Sequence, residues 1–293
     1  MTVEQVLVLT ATGGLPDVAA GMITQAITAA SGEIGGTRRL ASTAVEIELA
    51  KAPAAGAIAE AAARIGVDAN RVPTAHRRKR LLIADMDSTI IGVECIDELA
   101  DFAGVKPMVA EITERAMRGE LDFEAALRAR VALLRGLPES TLEQCYEARV
   151  HLNPGARVLT RTMAGLGAET ALISGGFTFF TTRVAEAAGF TCNQANTLVV
   201  EGGVLTGEVT DPILGREAKH AALRRLANDF GPELAIAVGD GANDLDMIVA
   251  AGLGVAYRAK PALAEAADAR IEHSDLTALL ALQGIPEPEW VTD

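Results

Sequence analysis

Three cysteines in 293 residues, Cys95, Cys145 and Cys192, are too few and too far apart for a disulfide framework. With no CxxC pair they offer no zinc site either, and a reducing compartment fits. Aromatic side chains make up only 3% of the chain, so Ala, Val, Leu and Ile must fill the core. Basic charge is outweighed. The 26 Lys and Arg stand against 39 Asp and Glu, and the net charge of −13 argues against a nucleic-acid partner, which would want a basic face. The longest apolar run, Met247 to Tyr257, holds 11 residues and cannot span a bilayer. Met1-Thr2-Val3-Glu4-Gln5 lacks the cationic start of a signal peptide. The expectation is a cytoplasmic protein without membrane or nucleic-acid partners.

At 49% hydrophobic residues, a sizeable core is assured, and the length allows roughly two domains. Over residues 1–76 the pattern reads βαββαβ: a strand at Gln5–Thr10 and a helix at Pro16–Ala30, then strands near Thr37–Thr43 and Ala44–Leu49. A helix at Pro53–Ile65 and a strand at Val67–Val72 complete it. That order predicts a ferredoxin-like α+β sandwich. The basic run His76-Arg77-Arg78-Lys79-Arg80 reads as a solvated linker rather than a targeting patch. Residues 77–293 alternate strands with helices, which predicts an α/β domain built on a parallel sheet. One insert, about residues 93–153, is wholly helical and follows the first acidic strand end. It reads as a cap that closes over the sheet's carboxyl edge and excludes water.

Two short apolar runs end abruptly in acids. Leu81-Leu82-Ile83-Ala84 leads into Asp85-Met86-Asp87-Ser88-Thr89, and Leu234 to Val238 leads into Gly239-Asp240-Gly241-Ala242-Asn243-Asp244. Buried parallel strands would deliver these carboxylates to one sheet edge, where ligands of open α/β sheets bind. Carboxylates gathered there need a cation, and oxygen-only ligands that leave room for water favour Mg²⁺. An Asp beside Mg²⁺ is also a competent nucleophile toward phosphorus. On an extended strand Asp85 and Asp87 would share a face, although turn and cap acids look the same in sequence. Ser174-Gly175-Gly176 reads as a strand-to-helix turn able to hold phosphate, or simply as a turn. Lys219 on a helix could neutralise a transferring group, or be ordinary surface.

The ordered set has no such bland alternative. Asp85-Met86-Asp87-Ser88-Thr89, Ser174, Lys219 and Gly239 to Asp244 resemble, in order, the four motifs of the haloacid dehalogenase superfamily, over residues 81 to about 275. The resemblance implies a Rossmann-like core with its helical cap after the first motif. It implies Asp85 as nucleophile and Asp87 as acid and base. The phosphoryl oxygens would be held by Ser174, the Gly175 N–H, Lys219 and Asn243. Mg²⁺ would lie among Asp85, the Asp87 main-chain carbonyl, Asp240 and Asp244.

Val93 to Ala100, with Met117, Phe123 and Arg130 in the insert, further resemble the phosphoserine phosphatase family. By that likeness Glu94 faces the substrate ammonium, Arg130 its carboxylate, and Met117 with Phe123 forms an apolar lid. The implied reaction is hydrolysis of O-phospho-L-serine, a small phosphorylated amino acid, in the last step of serine biosynthesis. Phosphohomoserine, or an aspartyl-phosphate signalling switch, are the competing readings. Residues 1–76 resemble an ACT-type domain in element order. Their first loop, Thr10 to Pro16, lacks the usual Asp-x-Pro-Gly-type turn, so homodimerisation through this domain is expected at least as much as effector binding.

Overall fold

The computed structural model describes residues 4–53, 56–117 and 120–292, apart from the Met117 side chain. The chain opens with β1 (Gln5–Thr10), α1 (Asp17–Ala29), β2 (Glu33–Ala41), β3 (Ala44–Lys51), α2 (Ala57–Ile65) and β4 (Asp68–Pro73). These strands form an antiparallel sheet in the order β2-β3-β1-β4. Pro16 and Asp17 start α1, and Ala19, Ile23 and Ile27 form its buried stripe. Strand β2 begins at Glu33 rather than Thr37, because Gly35-Gly36 sits in a register shift that hides the two-residue period. Ala54 and Ala55, expected in the second helix, lie outside the described residues.

The second part begins with β5 (Leu81–Ala84), followed by the helical insert α3 (Cys95–Phe102), α4 (Lys106–Met117), α5 (Phe123–Ala132) and α6 (Ser140–Arg149). Next come α7 (Ala156–Gly165), β6 (Glu169–Phe177), α8 (Thr178–Ala188) and β7 (Cys192–Asn196). A two-stranded ribbon follows, β8 (Leu198–Glu201) with β9 (Val204–Val209), then α9 (Arg216–Leu226). The chain ends through β10 (Ala235–Gly239), α10 (Leu245–Ala250), β11 (Leu253–Tyr257), α11 (Pro261–Ala266), β12 (Ala269–Ile271) and α12 (Ala278–Leu282). The parallel sheet runs β12-β11-β10-β5-β6-β7. Every residue of β5 is fully buried, as a parallel strand covered on both faces requires. Strand order reverses beside β5, so the crevice at the ends of β5 and β10 is the expected ligand position.

The two sheets are tied together more closely than a solvated linker would allow. One face of the N-terminal sheet packs on α1 and α2, through Leu7, Leu9, Val45 and Ile47. Its other face, with Val6, Val8, Ala44 and Val72, joins the larger core together with Leu279, Leu282 and Ile285. Edge strand β4 meets edge strand β12. The Asn70 side chain exchanges two 2.8 Å hydrogen bonds with the Arg270 main chain, and the Asp68 carboxylate accepts N–H groups of Glu272, His273 and Ser274.

The expectation for residues 76–80 is therefore corrected at Arg77 and Lys79, while His76, Arg78 and Arg80 are exposed as expected. Arg77 is largely buried, pairs with Glu46 and donates to the Leu282 carbonyl at 2.7 Å. Lys79 donates to the Glu233 carbonyl at 2.8 Å, and Arg78 pairs with Glu289. Arg77, Arg78 and Lys79 thus hold acids and main-chain carbonyls. Removing one partner of a buried pair leaves the other charge uncompensated, so Glu46→Ala should cost about 3–5 kcal/mol of stability. Urea unfolding measures it, and a loss below about 0.5 kcal/mol would mean that the pair acts as a surface one.

Candidate active site

Strand β5 hands Asp85 to the sheet's carboxyl edge, and the chain then turns at once. Asp87 is not on the strand as expected. Residues 86–90 form a tight loop in which Ser88 takes φ 56° and ψ 1°, so Asp85 and Asp87 reach the site along different paths. Asp87 Oδ1 accepts the Cys95 N–H at 2.9 Å, and Ser174 Oγ donates to Asp87 Oδ2 at 3.3 Å. A Cβ at Gly176 would stand 2.8 Å from that same oxygen, which is why glycine occupies the position. Ser174-Gly175-Gly176 is also not a turn. Strand β6 continues to Phe177, which pairs with Asn196 of β7, but residues 174–176 fall in a register shift between Ile173 and Phe177. The Asn196 side chain grips the carbonyls of Gly175 (2.8 Å) and Leu214 (3.2 Å).

Lys219 is completely buried. From α9 its Nζ lies 2.5 Å from Asp85 Oδ1 and 2.6 Å from Asp244 Oδ1. Asp244 Oδ2 accepts the N–H groups of Asp240 and Gly241, each at 3.2 Å. A Cβ at Gly239 would come within 2.4 Å of the Asp244 carboxyl, so only glycine lets that carboxylate fold back under β10. Carboxylate oxygens of Asp85, Asp240 and Asp244 all lie within 4.8 Å of one another. The Asp87 carboxylate stands outside this trio.

Burial and the Asp244 charge hold the Asp85 carboxyl well above the ordinary carboxylate range. Burial, reinforced by Glu94, pushes Asp87 to about 7. Burial likewise raises Asp240 to about 6, against the pull of Lys260. For Lys219 burial alone would favour the neutral amine, but Asp244 and Asp85 overcome it and hold the ammonium above its ordinary value. Four buried carboxylates thus surround one buried ammonium.

Above them is a cavity of about 330 Å³, whose lining joins this cluster to the insert. Glu94, Phe123 and Arg130 line it from the insert, and Ser174, Gly175 and Asn243 from the core, each of them singled out in the sequence. The Met117 side chain lies outside the described residues. The neighbouring arginines separate cleanly. Arg128 pairs with Glu124 and Asp211 on the surface, whereas no carboxylate among the described residues pairs with Arg130. Phe123, the first residue of α5 behind the Asp122 N-cap, rests where a Cβ on Gly175 or Gly215 would come within 3.0 or 3.1 Å.

Sequence reasoning missed Asp97, Thr113 and Lys260, which also line the cavity. Lys260 Nζ lies 3.7 Å from Asp240 Oδ2, and its N–H donates to the Asp240 carbonyl at 2.9 Å. Its position just after a strand of the same sheet was the available signal.

Residues 82–248 match the model of the haloacid dehalogenase-like hydrolase family. The chain is 48% identical over 241 residues to a phosphoserine phosphatase of Streptomyces coelicolor, a match covering 81% of this chain but only 58% of that protein. It is 46% identical over 210 residues to a phosphoserine phosphatase of Albidiferax ferrireducens, covering 69% of this chain and 89% of that one. A probable phosphoserine phosphatase of Vibrio cholerae, solved in an unliganded form, superposes with a TM-score of 0.82 at 32% identity, over 98% of this chain and 88% of its own. By both sequence and fold, the chain belongs to the phosphoserine phosphatase family of haloacid dehalogenase-like hydrolases.

Proposed function

We propose that the chain hydrolyses O-phospho-L-serine to L-serine and phosphate through an aspartyl-phosphate on Asp85. One observation carries this reading: Arg130, which pairs with no carboxylate among the described residues, and a carboxylate, Glu94, line the same cavity as Asp85, Asp87 and Ser174. They suit the carboxylate and the ammonium of an amino-acid ester whose phosphate points at Asp85. A signalling switch would have no use for that pair.

In the proposed sequence, Asp85 attacks phosphorus and the phosphorus–ester oxygen bond breaks. Asp87, raised to about 7 and so available as an acid near neutrality, gives its proton to the departing serine oxygen. As a carboxylate it then takes a proton from the water that attacks phosphorus, which frees phosphate and regenerates Asp85. Ser174, the Gly175 N–H, Lys219 and Asn243 would hold the phosphoryl oxygens, since positioning and charge neutralisation do most of the work in such transfers.

The donor set suits Mg²⁺: Asp85, Asp240 and Asp244 offer clustered carboxylate oxygens with more negative charge than Lys219 balances. The Asp87 carbonyl would complete the protein's share. When bound, Mg²⁺ would screen these carboxylates from the incoming phosphate dianion.

The chain is further proposed to work in the cytoplasm as two domains, residues 1–76 and 77–293. No helix among the described residues is long and apolar enough to cross a membrane. Both faces of the N-terminal sheet are covered, so a homodimer through the ACT-like unit would use edge strand β2 or the outer sides of α1 and α2.

Phosphate release from a panel of phospho-amino acids tests the reading, with phosphoserine expected to exceed phosphohomoserine and aryl phosphates. Asp85→Asn should abolish turnover with the fold intact, since an amide cannot attack phosphorus. Arg130→Ala should lower kcat/KM for phosphoserine by about 10²-fold, the scale of one lost charge-assisted contact, and far less for an aryl phosphate without a carboxylate. Equal losses would make Arg130 a support for the insert.

The electrostatics predict a pH effect on the metal-free protein. Asp87 and Asp240 titrate higher in the folded chain than at their ordinary 3.8, so folding takes up protons. Their contribution to stability is full below 3.8 and is lost as pH rises through about 6 and about 7. Thermal melts in chelator should therefore show Tm falling from pH 5 to pH 7.5, and Mg²⁺ should flatten that fall. A flat profile in chelator would contradict the buried-carboxylate account.

A further inference from the structure

Ser88 sits between the two acids of the first motif and the insert, with φ 56°, a left-handed conformation that residues with a Cβ rarely adopt. Such strain persists where the surroundings over-determine it. Here a small ring of hydrogen bonds does so. Ser88 N–H donates to the Val93 carbonyl at 3.2 Å, Ile91 N–H to the Met86 carbonyl at 3.0 Å, and Cys95 N–H to Asp87 Oδ1 at 2.9 Å. Glycine would suit this backbone better, so the serine hydroxyl needs a reason. It donates to Glu94 Oε1 at 2.7 Å. Glu94 is exposed at the cavity, and no cation among the described residues pairs with it. The Ser88 hydroxyl is the contact that restrains its carboxylate.

We propose that Ser88 is a positioning residue for amine recognition: its strained backbone aims the hydroxyl that holds Glu94 in place for the substrate ammonium. Holding the carboxylate beforehand removes part of the ordering cost of binding, so the effect falls on KM more than on kcat. The inference deepens the proposed phosphoserine reading and rests on it.

The test compares kcat and KM for O-phospho-L-serine and for the phosphate ester of hydroxypropionate, which lacks the amine. The proteins compared are the full-length chain and its Ser88→Ala, Ser88→Gly and Glu94→Gln variants. Losing one hydrogen bond to an exposed charged group should raise KM for phosphoserine about five- to tenfold in both Ser88 variants. kcat should largely persist, and the loss on the amine-free ester should be much smaller. Ser88→Gly relieves the backbone strain, so its thermal stability should be retained, which separates positioning from misfolding. If the Ser88 variants lose equally on both esters while Glu94→Gln stays selective, the positioning role is overturned and the substrate reading stands. If Glu94→Gln itself loses equally on both, the reading fails and takes the inference with it.

Discussion

Four carboxylates buried around a single buried ammonium set the terms for the rest of this molecule. Asp85, Asp87, Asp240 and Asp244 are each less than a tenth exposed, and Lys219 is the buried cation that touches two of them, Asp85 and Asp244. Uncompensated charge of this kind is costly inside a protein, so the surroundings must hold each oxygen in place. The parallel sheet brings two strand ends together. Glycines at 176 and 239 leave room for the Asp87 and Asp244 carboxylates, and main-chain N–H groups donate to Asp244 Oδ2 and Asp87 Oδ1. The excess negative charge that is left is what a divalent cation would balance, while burial, reinforced by Glu94, holds Asp87 in the range of a neutral-pH acid.

In the proposed reaction, selectivity would come from a different element from the one that carries the reactive groups. The insert contributes Glu94 and Arg130, and it leaves and rejoins the core through segments that pair at Ile91 and Leu152, with the Asn153 side chain donating to the Thr89 carbonyl. Next to that crossing, the Leu276 N–H donates to the Pro154 carbonyl. The segment carrying Leu276 is the one that Asp68 and Thr10 hold from the N-terminal sheet. One continuous set of contacts thus runs from the N-terminal unit to the base of the insert.

Much of this was legible in the sequence because chemistry imposes order on few residues. The acids after β5 and β10, Ser174, Lys219, and Glu94 with Arg130 all line or underlie one cavity. What stayed hidden has identifiable physical causes. Strand β7 is a polar edge strand, Cys-Asn-Gln-Ala-Asn, with no apolar alternation to read. Strand β5 ends at Ala84 and the chain turns from Met86, so Asp87 leaves the strand line, and no residue in Asp85-Met86-Asp87-Ser88 announces that turn or the positive φ of Ser88. Ser174 to Gly176 looks like a turn because glycine usually marks one, yet here glycine makes space for the Asp87 carboxylate within a strand. The run at residues 76–80 reads as solvated because its partners, Glu46, the α12 carbonyls and Glu289, are distant in the chain.

The central claim is that Asp85 becomes transiently phosphorylated. Acid-quenching the enzyme during turnover of O-phospho-L-serine and mapping peptides by mass spectrometry tests it directly. The account predicts one added phosphoryl group on the peptide containing Asp85, removed by hydroxylamine and absent from Asp85→Asn. A phosphoryl group mapped to any other residue, or none at any quench time while phosphate is being released, would contradict it.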